Sequence, residues 1–83
     1  MNRRRLLRRL LNHAYNNVAF AELLDLAKGF GFRIDRIEGS HHIMIHADVA
    51  EVLSLQEIRG EAKPYQVRQL IKLVDQYNLA LED

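Results

Sequence analysis

Three of the four histidines in this chain lie within six residues, at His41, His42 and His46. Such a group suggests a metal site or acid–base chemistry, because imidazole binds metals and exchanges a proton near neutral pH. If the segment is a β-strand, His42 and His46 lie about 13 Å apart and His41 faces the other way. One zinc ion needs its ligands at about 2 Å. The spacing therefore argues against a metal site, and we expect none.

Acid–base chemistry by one histidine is the remaining possibility. His41 follows Gly39 and Ser40, a pair typical of a hairpin turn. A sheet would hold His41 at its rim, where the ring is fixed but accessible. On the residues alone, a solvated strand histidine is the simpler interpretation. The sequence contains no phosphate-binding loop, no glycine-rich dinucleotide turn and no legible Ser-His-Asp order.

Hydrophobic periodicity predicts three helices. Leucines at helical spacing predict an amphipathic helix over residues 1–13, with arginines on its opposite face. A second helix is predicted over residues 18–28, capped by Asn17 and ended by a left-handed Gly29. The last helix begins at Pro64 and ends near Asn78.

A change of period from 3.6 to 2 predicts strands between the second and third helices. They cover residues 30–35, 41–46 and 51–56. The expected fold class is therefore α+β, a three-stranded antiparallel sheet with helices on one face. We expect the other face to be wet and to show His42, Met44 and His46.

Composition limits the function classes. A chain of 83 residues without cysteine forms one small domain, with no disulfide, cysteine–zinc cage or thiol nucleophile. No apolar run approaches the roughly 20 residues of a membrane span. Residues 1–21 carry five arginines and no acid, whereas the rest of the chain is slightly acidic. This basic segment favours a polyanionic partner, although a docking helix or an organellar transit peptide has the same composition.

The sequence also resembles a known family. The run from Phe30 to His46, the helix before it and the segment from Lys63 to Lys72 are similar to the HicA (YcfA-like) toxins. The similarity covers residues 18–79. Its most specific motif is Gly-Ser-His-His over residues 39–42, just after the first strand.

The resemblance implies a fold like a double-stranded-RNA-binding domain over residues 17–83, preceded by a basic amphipathic extension over residues 1–16. It implies the toxin of a type II toxin-antitoxin system, a metal-independent endoribonuclease that cleaves mRNA and is inhibited by a HicB-type antitoxin. A single histidine acts as general acid/base in that family, which corresponds to His41 here. We expect no small-molecule cofactor, no membrane partner and a bacterial cytoplasmic location.

Further RNA contacts are predicted beside the catalytic histidine. The candidates are polar or basic side chains of the turn, of the loop before the last helix and of the extension: Ser40, His42, Arg59, Lys63, Arg5, Arg8 and Arg9. The chain departs from the family in two ways. Its arginine-rich start has no counterpart in the shortest members, and Arg59-Gly60 stands where another histidine is common. A non-catalytic RNA-binding module of the same fold is the alternative, and a protein-interaction role is a third.

Overall fold

The computed structural model describes residues 2–82. Within them the chain forms three helices and five strands: α1 Arg3–Leu11, β1 Val18–Ala19, α2 Phe20–Gly29, β2 Arg33–Glu38, β3 His41–His46, β4 Val49–Ile58, β5 Glu61–Ala62 and α3 Pro64–Gln76. The predicted α+β class and the α-β-β-β-α order are confirmed by α2, β2, β3, β4 and α3. Strands β1 and β5 were not expected, because two residues are too few to carry a period.

The strands form one antiparallel sheet in the order β1-β5-β4-β3-β2. The helices cover one face, which we call the inner face, and leave the outer face open. Met44, Leu53 and Leu55 on the inner face are fully buried and join residues of all three helices in one hydrophobic core. On the outer face of β4, by contrast, Val52 keeps half of its surface in solvent. The layer arrangement therefore matches the prediction.

The assignment of the faces of β3 was wrong. We expected Met44 and its neighbours on the wet face, yet Met44 is completely buried on the inner face. His42 lies beside the ring of Phe20, with centroids 4.8 Å apart, and so also faces the helices. Periodicity shows which residues share a face, but it does not show which face the helices will cover. Two isoleucines at positions 43 and 45 favoured the opposite choice.

Helix α2 starts later than predicted. Asn17, the expected N-cap, has a left-handed backbone (φ 58°) and lies before β1. The helix begins at Phe20, and no side chain caps it. Instead the Phe20 N–H donates to the Gly60 carbonyl at 2.9 Å, so a pairing distant in sequence replaces the cap. Local residue preference could not reveal this contact.

The same helix ends in the predicted kind of motif, but two residues later. The left-handed residue is Gly31 (φ 100°) and not Gly29, which is still helical. Gly31 N–H donates to the Lys28 carbonyl at 3.0 Å, and Phe32 N–H donates to the Ala27 carbonyl at 3.1 Å. These are the two hydrogen bonds of a Schellman ending. They direct the chain from α2 into β2.

Helix α1 is attached to the rest of the chain by apolar and ionic contacts. Leu6 and Leu10 are buried in the common core, and α1 packs chiefly against α2 and α3. The Arg3 guanidinium donates from Nε and Nη2 to the two carboxylate oxygens of Asp25, each at 2.9 Å. The basic segment is thus a folded part of the molecule. Its division from the domain at residue 16 stays a prediction.

We expect Asp25→Asn to weaken the attachment of α1. The hydrogen bond from Arg3 lowers the pKa of Asp25, so the unfolded chain binds this proton more readily than the folded one. The stabilisation is therefore fully present above about pH 4, the ordinary pKa of aspartate, and is lost as pH falls through the lowered pKa. Because both side chains are partly exposed, its size at neutral pH is at most about 1 kcal/mol.

Thermal melts of the wild type and Asp25→Asn at pH 7 and at pH 2.5 test this expectation. The variant should melt at a lower temperature at pH 7, and the gap should close at pH 2.5. Asp75→Asn, at an exposed position on α3, is the matched control. A gap of equal size at both pH values would contradict the assignment to this ion pair.

Candidate active site

His41 is the first residue of β3 and directly follows the turn at Gly39 and Ser40. Gly39 has φ 61°, a left-handed conformation that glycine adopts without steric cost. The chain therefore reverses within two residues, and Glu38 of β2 pairs with His41. On the other side His41 pairs with Gln56 of β4. The side chain of His41 is exposed on the outer face.

Two rows of side chains surround His41 and form what we call the outer-face array. The first row runs across the sheet as Glu38, His41 and Gln56, and the second as Arg36, Ile43 and Ser54. Residues two apart in a strand share a face and lie about 7 Å apart. Side chains in adjacent rows can therefore touch. The register thus places one carboxylate, one imidazole and one guanidinium next to each other.

The imidazole of His41 has one neighbour within hydrogen-bond distance among the described residues. Ser54 Oγ lies 3.5 Å from His41 Nδ1, at the long end of the accepted range. No described residue binds Nε2, which leaves that nitrogen for a substrate. On β4, opposite His41, Gln56 Nε2 donates to Ser40 Oγ at 3.2 Å. This second contact links the turn to β4 and so fixes the start of β3.

Arg36 supplies a permanent positive charge near His41. Its Nη1 donates to Asp35 Oδ2 at 2.8 Å, and its Nε lies 3.4 Å from Glu38 Oε2. The hydrogen bond to Asp35, and then the charge of Glu38, raise the pKa of Arg36 above its already high ordinary value. Asp35 is the extra residue at a bulge, because the register shifts between Ile34 and Arg36.

Besides Ser40 in the turn, two of the predicted RNA contacts lie at the same end of the sheet as His41. Ala62 of β5 pairs with Glu57 of β4, and Lys63 follows Ala62 directly, at the N-cap position of α3. This puts Lys63 two strand spacings from His41, about 10 Å. Arg59 lies in the β4–β5 turn, three residues beyond Gln56 and thus at a similar distance. Whether either residue binds RNA stays a prediction.

Other predicted contacts lie across the sheet from His41. Arg5, Arg8 and Arg9 belong to α1 on the helix side, where the Arg9 guanidinium donates to the Asn16 carbonyl. His42 faces the helices, and its Nδ1 is buried without a hydrogen-bond partner. These residues and His41 do not form one cluster. Their proposed contacts with RNA are therefore separate predictions from the chemistry at His41.

His46 is a structural residue. Its Nδ1 accepts a hydrogen bond from the Asp48 N–H at 3.0 Å, so the proton of a neutral ring is on Nε2. Nε2 donates it to the Phe30 carbonyl at 2.9 Å. The ring also stands edge-on to Phe32, with centroids 5.1 Å apart. His46 thus joins the end of α2 to the β3–β4 turn. Within residues 2–82, no group of three His, Asp or Glu side chains is placed to hold a metal ion.

Glu38, Ser54 and Gln56 are residues of the site that were not predicted from the sequence. Each depends on cross-strand register, which a single strand does not reveal. A signal existed for Glu38, because a two-residue turn necessarily pairs the residues on either side of it. Ser54 and Gln56 depend on the pairing of β4, which could not be deduced from composition.

Comparison with known families identifies the family of this chain. A family model described as the HicA toxin of bacterial toxin-antitoxin systems matches residues 20–75, about two thirds of the chain. The chain belongs to the HicA toxin family. Comparisons with curated proteins and with solved structures gave no match.

The HicA match begins with α2 and ends within α3, so it includes the whole outer-face array and leaves α1 outside. The family membership that the Gly-Ser-His-His motif predicted is thus confirmed. A HicA toxin belongs to a toxin-antitoxin system, which implies an antitoxin as partner. No helix within residues 2–82 is long and apolar enough to cross a membrane.

We expect His46→Ala to destabilise this HicA chain much more than His41→Ala does. The first change removes the hydrogen bond to the partly buried Phe30 carbonyl, at a cost of about 1–3 kcal/mol. For a domain of this size the melting temperature should then fall by several degrees. Circular-dichroism melts of both variants measure the difference. Equal melting temperatures for His46→Ala and the wild type would exclude this structural role.

Proposed function

We propose that this HicA chain is an endoribonuclease that cleaves mRNA without a metal ion, with His41 as its proton-transfer residue. The observation that carries the proposal is the placement of His41. Its ring is exposed on a rigid sheet, Nδ1 lies beside Ser54, and Nε2 is open to a substrate. Arg36 lies in the adjacent row as a cation. The family membership of the chain supports the same conclusion.

Cleavage of RNA needs few protein groups, because RNA carries its own nucleophile. The 2′-hydroxyl attacks the adjacent phosphorus once the phosphate is held and a proton can be moved. General acid–base catalysis by one residue accelerates such a step by about 10²–10⁴-fold. Arg36 can stabilise the charge on the phosphate at His41, and Lys63 and Arg59 are at suitable distances for neighbouring phosphates of the same strand.

The antitoxin is the second partner. We propose that it is of the HicB type and that it silences the toxin by covering the outer-face array. That surface is open and contains His41, so a bound protein would exclude RNA from it. Toxin, mRNA and antitoxin would meet in the bacterial cytoplasm.

We expect His41→Ala to abolish RNA cleavage and to leave the fold intact. The side chain is exposed at the rim of the sheet, so its removal should change the melting temperature by no more than about 1 °C. Purified wild type and variant are incubated with a long mRNA in EDTA, and the fragments are resolved on a gel. His13→Ala is the matched control, because His13 is also exposed and lies outside the site.

Each other outcome of this assay has a definite meaning. Intact RNA with the wild type would support the non-catalytic RNA-binding module instead. Cleavage only when a divalent ion is added would contradict metal independence. A large fall in the melting temperature of His41→Ala would make this residue structural and withdraw its catalytic assignment.

The arginine face of α1 is proposed to bind RNA outside the catalytic site. Deleting α1 would not test this, because Leu6 and Leu10 belong to the core. Replacing Arg5 and Arg8 together by glutamine keeps those leucines. If both arginines contact phosphates of single-stranded RNA, the slope of log K against log salt should decrease by about 1.4. Cleavage at saturating RNA should be unchanged, because α1 lies across the sheet from His41.

Fluorescence anisotropy with labelled RNA over a salt series measures that slope. Lys28 and Lys72 are exposed on α2 and α3, and their double replacement by glutamine removes the same charge as a control. An equal loss of affinity in both double variants would mean that only net charge matters. The arginine face would then have no specific role.

A further inference from the structure

Glu38 is the unassigned group closest to the proposed reaction. It is the last residue of β2 and pairs with His41 across the Gly39–Ser40 turn. Both side chains are exposed on the outer face, and Cβ atoms of directly opposed residues lie about 5 Å apart. On its other side His41 pairs with Gln56, whose amide is engaged by Ser40. Within the outer-face array, Glu38 is therefore the carboxylate that lies directly beside His41.

Arg36 holds the Glu38 carboxylate in place. Its Nε lies 3.4 Å from Glu38 Oε2, while its Nη1 is engaged by Asp35. The ion pair therefore joins two residues of the outer face, where His41 also lies. Lys63 and Arg59 lie farther from Arg36, on the far side of β4 and in the β4–β5 turn. A phosphate above Arg36 would lie near the ionisable side chains of Asp35, Glu38 and His41, of which Glu38 and His41 pair with each other across the turn.

We propose that Glu38 is a second catalytic residue, the general base, and that His41 is the general acid; this assignment rests on the proposed ribonuclease function. Cleavage by the 2′-hydroxyl requires a base on one side of the phosphorus and an acid on the other. Two neighbouring side chains on a flat sheet can flank a phosphate in this way. Ser54 at His41 Nδ1 leaves Nε2 to carry the proton that is donated.

The step balances without a further reactant. The bond from the 2′-oxygen to phosphorus forms, and the proton of the 2′-hydroxyl goes to the Glu38 carboxylate. The bond from phosphorus to the 5′-oxygen breaks, and the Nε2 proton of the His41 imidazolium goes to that oxygen, which leaves a neutral imidazole. The products are a 2′,3′-cyclic phosphate and a free 5′-hydroxyl. Exchange with solvent then returns both side chains to their starting forms.

Glu38→Gln is the primary test, because it keeps the shape of the side chain and removes its basicity. We expect kcat to fall by about 10²–10⁴-fold with KM nearly unchanged, and the acidic limb of the pH–rate profile to disappear. Glu38→Asp should retain part of the activity. Glu57→Gln is the matched control, since Glu57 is exposed on β4 next to Gln56 but alternates to the other face of the sheet. It should cleave like the wild type.

A sulfur substitution separates the two roles. Once the cleaved bond has been mapped, an oligoribonucleotide is made with sulfur in place of the 5′-oxygen at that bond. A thiolate leaves without being protonated, so His41→Ala should cleave this substrate nearly as fast as the wild type does. Glu38→Gln should remain slow on it, because the 2′-hydroxyl still has to lose its proton.

Several results would overturn the inference. Cleavage by Glu38→Gln within threefold of the wild type, with His41→Ala inactive, would remove Glu38 and leave the ribonuclease proposal standing. Rescue of Glu38→Gln but not of His41→Ala by sulfur would reverse the two roles. Fragments that carry a 3′-hydroxyl and a 5′-phosphate would exclude the 2′-hydroxyl as nucleophile. A wild type that leaves all RNA intact would refute the ribonuclease proposal itself.

Discussion

The register of β3 between β2 and β4 is the constraint on which both the core and the site depend. Gly39 takes a left-handed conformation (φ 61°), so the chain reverses directly after Glu38 and pairs that residue with His41. Because side chains alternate strictly along a strand, a slip of one residue would move every side chain of β3 to the other face. Met44 would enter solvent and His41 would face the helices. The burial of Met44 therefore holds His41 on the open face, so the same register determines both the core and the position of His41.

The histidines of β3 show what the periodicity of the sequence can predict and what it cannot. The change from a period of 3.6 to a period of 2 was sufficient to predict the strand and to separate His41 from His42 and His46. It could not show that His46 would bind the Phe30 carbonyl, or that His42 would lie beside Phe20. Both contacts join parts of the chain that are distant in sequence. A period describes one segment, whereas the choice of face depends on what packs against that segment.

The ends of α2 illustrate the same limit. Asn17 and Gly29 are the residue types that local preference favours at helix ends, yet Asn17 does not cap α2 and Gly29 is its last helical residue, not its left-handed one. The start of the helix is bound by Gly60 in the β4–β5 turn, and its end passes through Gly31. An alanine at Gly31 would bring its Cβ within 2.7 Å of His46 Nε2, so tertiary packing as well as backbone conformation requires glycine. For the site, likewise, His41 was recognisable from its motif, but Glu38, Ser54 and Gln56 depended on pairing.

The sheet also separates the arginine face of α1 from the outer-face array. The arginines of α1 lie on the helix side, outside the family match, whereas the outer-face array lies entirely within it. The RNA affinity proposed for α1 and the chemistry proposed at His41 can therefore change independently, since no side chain of α1 lies in the outer-face array. The turn before α3 carries Arg59, where the resemblance leads us to expect a second histidine in many relatives. A site that divides base and acid between Glu38 and His41 does not need that histidine, because both proton transfers are supplied by a single pair of residues across one turn.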